Sequence, residues 1–195
     1  GPFGTRWEAA LRELKGFPSG AVVFVNSMSD TYYEAAPDRD VLRVHWTAAD
    51  HPDKTFLVLT KRPERAWYMR HRLAWPDNLW LGVSVENERY LWRIEYALAT
   101  PAAGVFVSAE PLLGPLGGLA EYLRDYFPHA GATLARRVRT GLRIGNNRRV
   151  GWVIAGGESG PHRRPLNPDW VRSIRDLCNL HGVPFFYKQG SAYRP

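Results

Sequence analysis

GVFVSAE, residues 104–110, is the stretch that decides the fold. Val105, Phe106 and Val107 form a run too short for a helix. The run does not alternate with polar residues, as a strand with one wet face would. An unbroken β-branched and aromatic run of this length is what a strand of a parallel sheet needs when both of its faces are covered. Its last residue is an acid, Glu110, with Pro111 directly after it, so the chain leaves the strand on a carboxylate.

The same shape recurs along the chain as AVVFVN (21–26), TFLVLT (55–60), LWLGVSV (79–85), GWVIAGGE (151–158) and PFFYKQ (184–189). Helical patterns lie between these runs: RPERAWYMRHRL (62–73), ERYLWRIEYALA (88–99) and PDWVRSIRDLCNLHG (168–182). The last of these carries its own punctuation, with Asn167 as cap, Pro168 at the first helical position and Gly182 at the end. Strand and helix in alternation, joined by right-handed crossovers, give an α/β protein with a parallel sheet. A partial or complete (β/α) barrel of about six strands is the first expectation, and an open doubly wound sheet the second. The segment 117–150 breaks the rhythm and reads as an insertion or flap before the fifth strand. One domain over 1–195 is expected, with Gly1-Pro2 resembling a scar of tag removal and no methionine before Met28, so that a natural start further upstream is anticipated.

Composition narrows the function. Eight tryptophans are unusual for this length; many must lie in the core, but amphipathic rings are also common at binding surfaces. A net charge of +7 favours a polyanionic partner, and ARRVRTGLRIGNNRRV (135–150) concentrates Arg136, Arg137, Arg139, Arg143, Arg148 and Arg149 without an acid. These six are the candidate nucleic-acid contacts. No apolar run reaches the ~20 residues of a membrane span, and no signal peptide opens the chain, so a cytoplasmic protein is expected. Cys178 is the only cysteine, and the six histidines have no ligand-like spacing; no metal site is expected in this chain. Neither GxGxxG nor a P-loop nor GxSxG occurs.

In both candidate architectures ligands sit beyond the carboxyl ends of the strands. The strand ends deliver Asn26, Ser27 and Asp30; Lys61 and Arg62; Ser84 and Glu86; Ser108 and Glu110; Gly156, Gly157, Glu158 and Ser159; and Lys188 and Gln189. All are candidate ligand-binding residues, joined by His162 and Arg163 in the loop that follows. Glu110 and Lys188 are candidates for catalysis, though Lys188 equally suits a buried cation paired with one of the glutamates. Lys61 and Arg62 either open a helix or hold an anion, and His162, Arg163 and Arg164 either contact phosphate or carboxylate or form an exposed basic loop. Gly156 and Gly157 would let a ligand approach the backbone closely.

Six blocks, VFVNSMSD (23–30), FLVLTKRPER (56–65), LWLGVSVEN (79–87), FVSAEPLLGPL (106–116), WVIAGGESG (152–160) and VPFFYKQG (183–190), resemble a phage-associated family labelled phage protein gp thirty-seven/gp sixty-eight. Its members look like radical S-adenosylmethionine proteins. The resemblance implies a parallel barrel, a cysteine-rich N-terminal segment ligating a 4Fe-4S cluster, and S-adenosylmethionine at the mouth. It also implies a distant likeness to spore photoproduct lyases, and a bacterial host cell. This sequence departs from the pattern where it matters: no cysteines precede FVNSMSD, and Cys178 lies on a late helix, so the chain as given is not expected to do radical chemistry. Two functions follow. One is a truncated or cluster-less radical-type protein acting on a nucleotide or nucleic acid. The other is a non-catalytic phage protein binding nucleic acid or a host protein through the basic insertion. The strand edge left by a missing first barrel unit would also suit a homodimer.

Overall fold

The computed structural model describes residues 7–25, 29–124 and 149–191. Six strands, β1 (Val22–Val25), β2 (Thr55–Thr60), β3 (Leu79–Ser84), β4 (Gly104–Ala109), β5 (Trp152–Gly156) and β6 (Phe185–Gln189), form one sheet. All neighbours are parallel, and spatial order follows chain order. A doubly wound sheet reverses its strand order at a switch point. Sequential order instead winds the chain one way, and the sheet curls into a half-barrel. The barrel expectation therefore holds and the doubly wound one does not.

The helices are α1 (Trp7–Lys15), α2 (Asp38–Ala49), α3 (Pro63–Met69), α4 (Trp92–Leu98), α5 (Ala120–Leu123) and α6 (Pro168–Leu180). All contribute to one buried cluster, in which Leu14, Val44, Ala66, Ile94, Leu123 and Ile174 meet Val58, Leu81, Val107 and Val153 of the sheet. Alternation along each strand sends the other half of the side chains to the inner, concave face. There Leu57, Phe106 and Ile154 pack with Leu59, Trp80 and Trp152, and no helix residue joins them. Both faces of the central strands are covered, which accounts for their unbroken apolar runs. Two glycines make the inner layer fit: a Cβ on Gly82 would strike the Phe106 ring, and one on Gly104 would come within 2.5 Å of Trp80.

The helix α6 begins as expected, with Asn167 Oδ1 accepting from the Asp169 N–H at 2.9 Å, and ends at Gly182 with a positive φ of 59°. The helices α1 and α2 were not anticipated. In α2, His45 and exposed Trp46 interrupt the apolar stripe of Val41, Val44 and Ala48. The segment expected to be an insertion begins inside the fold: Leu119 and Leu123 are fully buried, and Tyr122 donates to the buried Glu95 at 3.1 Å.

Candidate functional site

At the carboxyl edge of the concave face the apolar floor gives way to polar groups. Ser84 on β3 and Ser108 on β4 are lateral neighbours, Ser108 neighbours Ile154, and Ile154 neighbours Phe186 on β6. Both serines are buried, while the Phe186 ring is half-exposed. Among the described residues the Ser84 hydroxyl has no hydrogen-bond partner. Just past the end of β4, Glu110 takes a hydrogen bond from Ser108 Oγ at 3.0 Å and an ion pair from Lys188 Nζ at 3.3 Å. Lys188 is paired as foreseen, but it is not buried: its side chain is 55% exposed against 19% for Glu110. The pair is thus open to a solute from the concave side.

A second acid, Glu86, stands two residues beyond the end of the neighbouring strand β3. Glu86 receives Lys61 Nζ on one oxygen and Arg93 Nη1 at 2.9 Å on the other, while the same Arg93 nitrogen donates to the Ser84 carbonyl at 2.7 Å. Burial works against the Glu86 charge, but Lys61 and Arg93 outweigh it and hold the carboxyl below its ordinary range. Arg93 also lies over the Tyr90 ring, 4.2 Å from its centroid. Sequence reasoning found Glu86 and Lys61 and missed Arg93, because an arginine within a helical repeat carries no mark of pointing inward.

Asp30 and Arg62 serve another purpose. Asp30 accepts from the Tyr32 N–H, Thr60 Oγ1, the Lys61 N–H and Arg62 Nη1, so its four acceptor positions are filled. Arg62 continues to Glu34 at 2.7 Å and stacks on Tyr33. This clamp ties the loop after β1 to the loop after β2 and leaves neither residue free for a ligand. Below it, Tyr32 and His45 form a buried dyad, with the hydroxyl 2.7 Å from Nε2 and Nδ1 2.5 Å from the Ala74 carbonyl. Only a neutral ring with the proton on Nδ1 donates to that carbonyl and accepts from the tyrosine. Burial pushes the His45 pKa down to about 4 and the Tyr32 phenol well above its ordinary value.

The glycines after β5 make room for the protein's own atoms. A Cβ on Gly156 would sit 2.8 Å from Glu110 Oε1, and one on Gly157 would sit 2.5 Å from the Ser191 nitrogen. The close approach expected of a ligand at these positions is made instead by Glu110 and by the turn after β6. Gln189 belongs to that closure, its carbonyl accepting from the Gly157 N–H at 2.8 Å. Glu158 turns back on its own loop: both oxygens bind the Arg164 guanidinium at 2.9 Å, and the Arg164 N–H adds a third bond. Arg164 holds the Glu158 carboxyl down at about 2. Ser159, His162 and Arg163 are exposed on this loop, and Arg163 Nη1 donates to the nearby Gly160 carbonyl at 3.3 Å.

Asn26, Ser27, Arg136, Arg137, Arg139, Arg143 and Arg148 lie outside the described residues. Arg149 is described and donates to the His181 carbonyl at 2.9 Å, bracing the end of α6. Cys178 is buried in the core beside Ile174, and burial raises its thiol to about 11. Among the described residues no three His, Cys, Asp or Glu side chains are grouped to hold a metal ion, and no helix is long and apolar enough to cross a membrane. A cavity of about 540 Å³ lies between α1, β1 and α2, with Leu11, Phe17, Val25 and Phe56 among its apolar walls and Ser29, Asp30 and Thr31 of the loop after β1 among its polar ones.

Fold and site define a parallel (β/α) half-barrel protein with an ion-paired polar mouth over an aromatic floor. The family described as a protein of unknown function, DUF5131, matches residues 4–195, and the chain belongs to it. No curated protein and no solved structure matches the chain.

Proposed function

We propose that this protein binds S-adenosylmethionine, or a ligand combining an amino-acid zwitterion with a nucleoside in the same way, at the concave mouth. We propose further that it acts on a nucleotide or nucleic acid, as a relative of the radical barrels its sequence resembles. The observation that carries this reading is the solvent-open Glu110–Lys188 pair, with the Ser84 hydroxyl, which no described residue bonds, on the neighbouring strand. An ammonium and a carboxylate are the complements of that pair, whereas a polyphosphate would meet as much negative as positive charge. Glu110 would accept from the ligand's ammonium and Lys188 would donate to its carboxylate. Ser84 and Ser108 would offer hydroxyls to ribose or base, and Phe186 would offer a ring face. Bound there, S-adenosylmethionine supplies a sulfonium whose carbon–sulfur bonds are activated for transfer.

A 4Fe-4S cluster does not fit the residues of this chain. One cysteine cannot supply three thiolates, and Cys178 sits in the core with its thiol held protonated. Titration calorimetry with S-adenosylmethionine tests the reading. Saturable binding is expected, weakened about tenfold or more in Glu110→Gln and in Lys188→Ala, as loss of one charge-assisted contact requires. Absence of binding to the wild-type chain, or equal affinity in all three proteins, would refute it. A second reading, nucleic-acid or host-protein binding without catalysis, draws on the net charge of +7 and the arginines of 135–150. It predicts binding that falls steeply with salt and weakens when Arg136, Arg137, Arg148 and Arg149 become Ala.

A further inference from the structure

The outer surface of α3 and α4 carries a chain of rings that the barrel's mouth does not use. Tyr68 meets Trp67 with centroids 5.0 Å apart, Trp67 meets Tyr96 at 5.9 Å across the two helices, and Tyr96 meets Trp92 at 5.9 Å. Trp67 is buried and anchors the row, Tyr96 and Trp92 are partly exposed, and Tyr68 stands 67% exposed. The guanidinium of Arg70 lies over the Trp67 ring at 4.1 Å and donates to the Trp67 carbonyl at 2.8 Å.

The charges around this row are one-sided. The acids of α3, of α4 and of the turn Glu88–Tyr90 that leads into α4 are drawn inward or engaged. Glu95 is buried and takes the Tyr122 hydroxyl, Glu88 takes the Gly118 N–H at 2.9 Å, and one oxygen of Glu64 is buried. Apart from Arg93, buried against Glu86, and Arg65, paired with Asp38, the basic residues stay outside: Arg70 and Arg89 have no carboxylate partner among the described residues, and His71 and Arg72 are exposed beside them. Arg72 shares Asp38 with Arg65. The result is a surface of stacked rings beside two guanidinium groups, Arg70 and Arg89, that no carboxylate among the described residues neutralises, on a chain whose net charge is +7.

We propose that the α3–α4 face binds single-stranded nucleic acid, stacking bases on Tyr68, Trp92 and Tyr96 and pairing phosphates with Arg70 and Arg89. Rings with interspersed cations track a single strand in this way, because every base offers a π face and every linkage a phosphate. A duplex keeps its bases stacked inside and would leave exposed Tyr68 without a partner. None of these residues belongs to the Glu110–Lys188 pair, so this inference does not depend on what that pair binds.

The experiment is fluorescence anisotropy of a labelled oligothymidylate of about 20 nucleotides, longer than a typical site, with the full chain at several salt concentrations. Tyr68→Ala is expected to weaken binding about fivefold or more, and Tyr68→Phe to preserve it. Arg70→Gln and Arg89→Gln are each expected to lower the salt slope by about 0.7, the single-strand value per phosphate. Tyr68 and Arg89 lie outside the core, so both variants should keep the wild-type urea midpoint; Tyr68→Phe answers for any that does not. No binding by the wild type at low salt overturns the proposal. So does a loss confined to Arg136, Arg137 and Arg148→Ala. So does self-association in light scattering that Tyr68→Ala abolishes without any DNA binding, since the face would then take a second copy of the chain.

Discussion

Acid should unfold this protein through one buried histidine. His45 is fully buried, between Tyr32, the Ala74 carbonyl and the edge of Trp75 at 4.7 Å, and its pKa falls from 6.5 to about 4. Between those values the unfolded chain takes up a proton and the folded one does not, so stability decreases as pH falls through that window. About 2.5 units at 1.36 kcal/mol each amount to a total near 3 kcal/mol, of which about 2 kcal/mol is lost between pH 7 and pH 5. The carboxylates with lowered pKa values add to the loss only as pH approaches their unfolded values of 4.5 and 3.8, so their share above pH 5 is small. Urea titrations followed by tryptophan fluorescence at pH 7, 6 and 5, at fixed ionic strength, measure the loss. His45→Gln should be less stable at pH 7 by about 1–3 kcal/mol, because Gln cannot restore both hydrogen bonds, yet lose less than half as much on going to pH 5. Tyr32→Phe keeps the ring buried and should retain the wild-type pH slope from a lower starting stability. Equal slopes in wild type and His45→Gln, or a wild type that gains stability on acidification, would refute the reasoning.

Three further outcomes are expected. Gly82→Ala should cost about 1–3 kcal/mol, the range for overpacking, read as a shift in the urea midpoint; an unchanged midpoint would mean the Phe106 ring has another place to go. Arg93→Met should cost roughly 3–5 kcal/mol by stranding the Glu86 carboxylate, whereas Lys61→Met should cost under about 1 kcal/mol because Lys61 is half-exposed and screened. A reversed order in chemical denaturation would show that Lys61 holds the charge. Cys178 should react with a thiol reagent only at the rate of unfolding, its thiol being buried and raised to about 11; prompt labelling of the native chain would contradict its place in the core.

Much of the architecture is local in origin. Runs such as FLVL and GVFV give strands because β-branched and aromatic residues suit a surface packed on both sides, and their lack of alternation forecasts a parallel sheet. The caps of α6 are equally local, since Asn167 and Gly182 act within a turn of where they stand. The helix α2 was less legible because its stripe is interrupted by His45, which is buried only because Tyr32 and Ala74 come to meet it from other loops.

The carboxyl-end glutamates show where local information stops. Glu86, Glu110 and Glu158 each leave a strand, and nothing in the flanking residues ranks them. Glu158 closes on Arg164 in its own loop, Glu86 is enclosed between Lys61 and Arg93, and Glu110 faces Lys188 from another strand with water still at hand. By itself the sequence determined that acids and bases would gather at one end of a parallel sheet, because alternation and strand polarity are properties of the chain. Which of them pair, and which pair stays open, was decided by the tertiary structure. Register and the curl of the sheet bring distant strands together, and neither quantity is carried by any single segment.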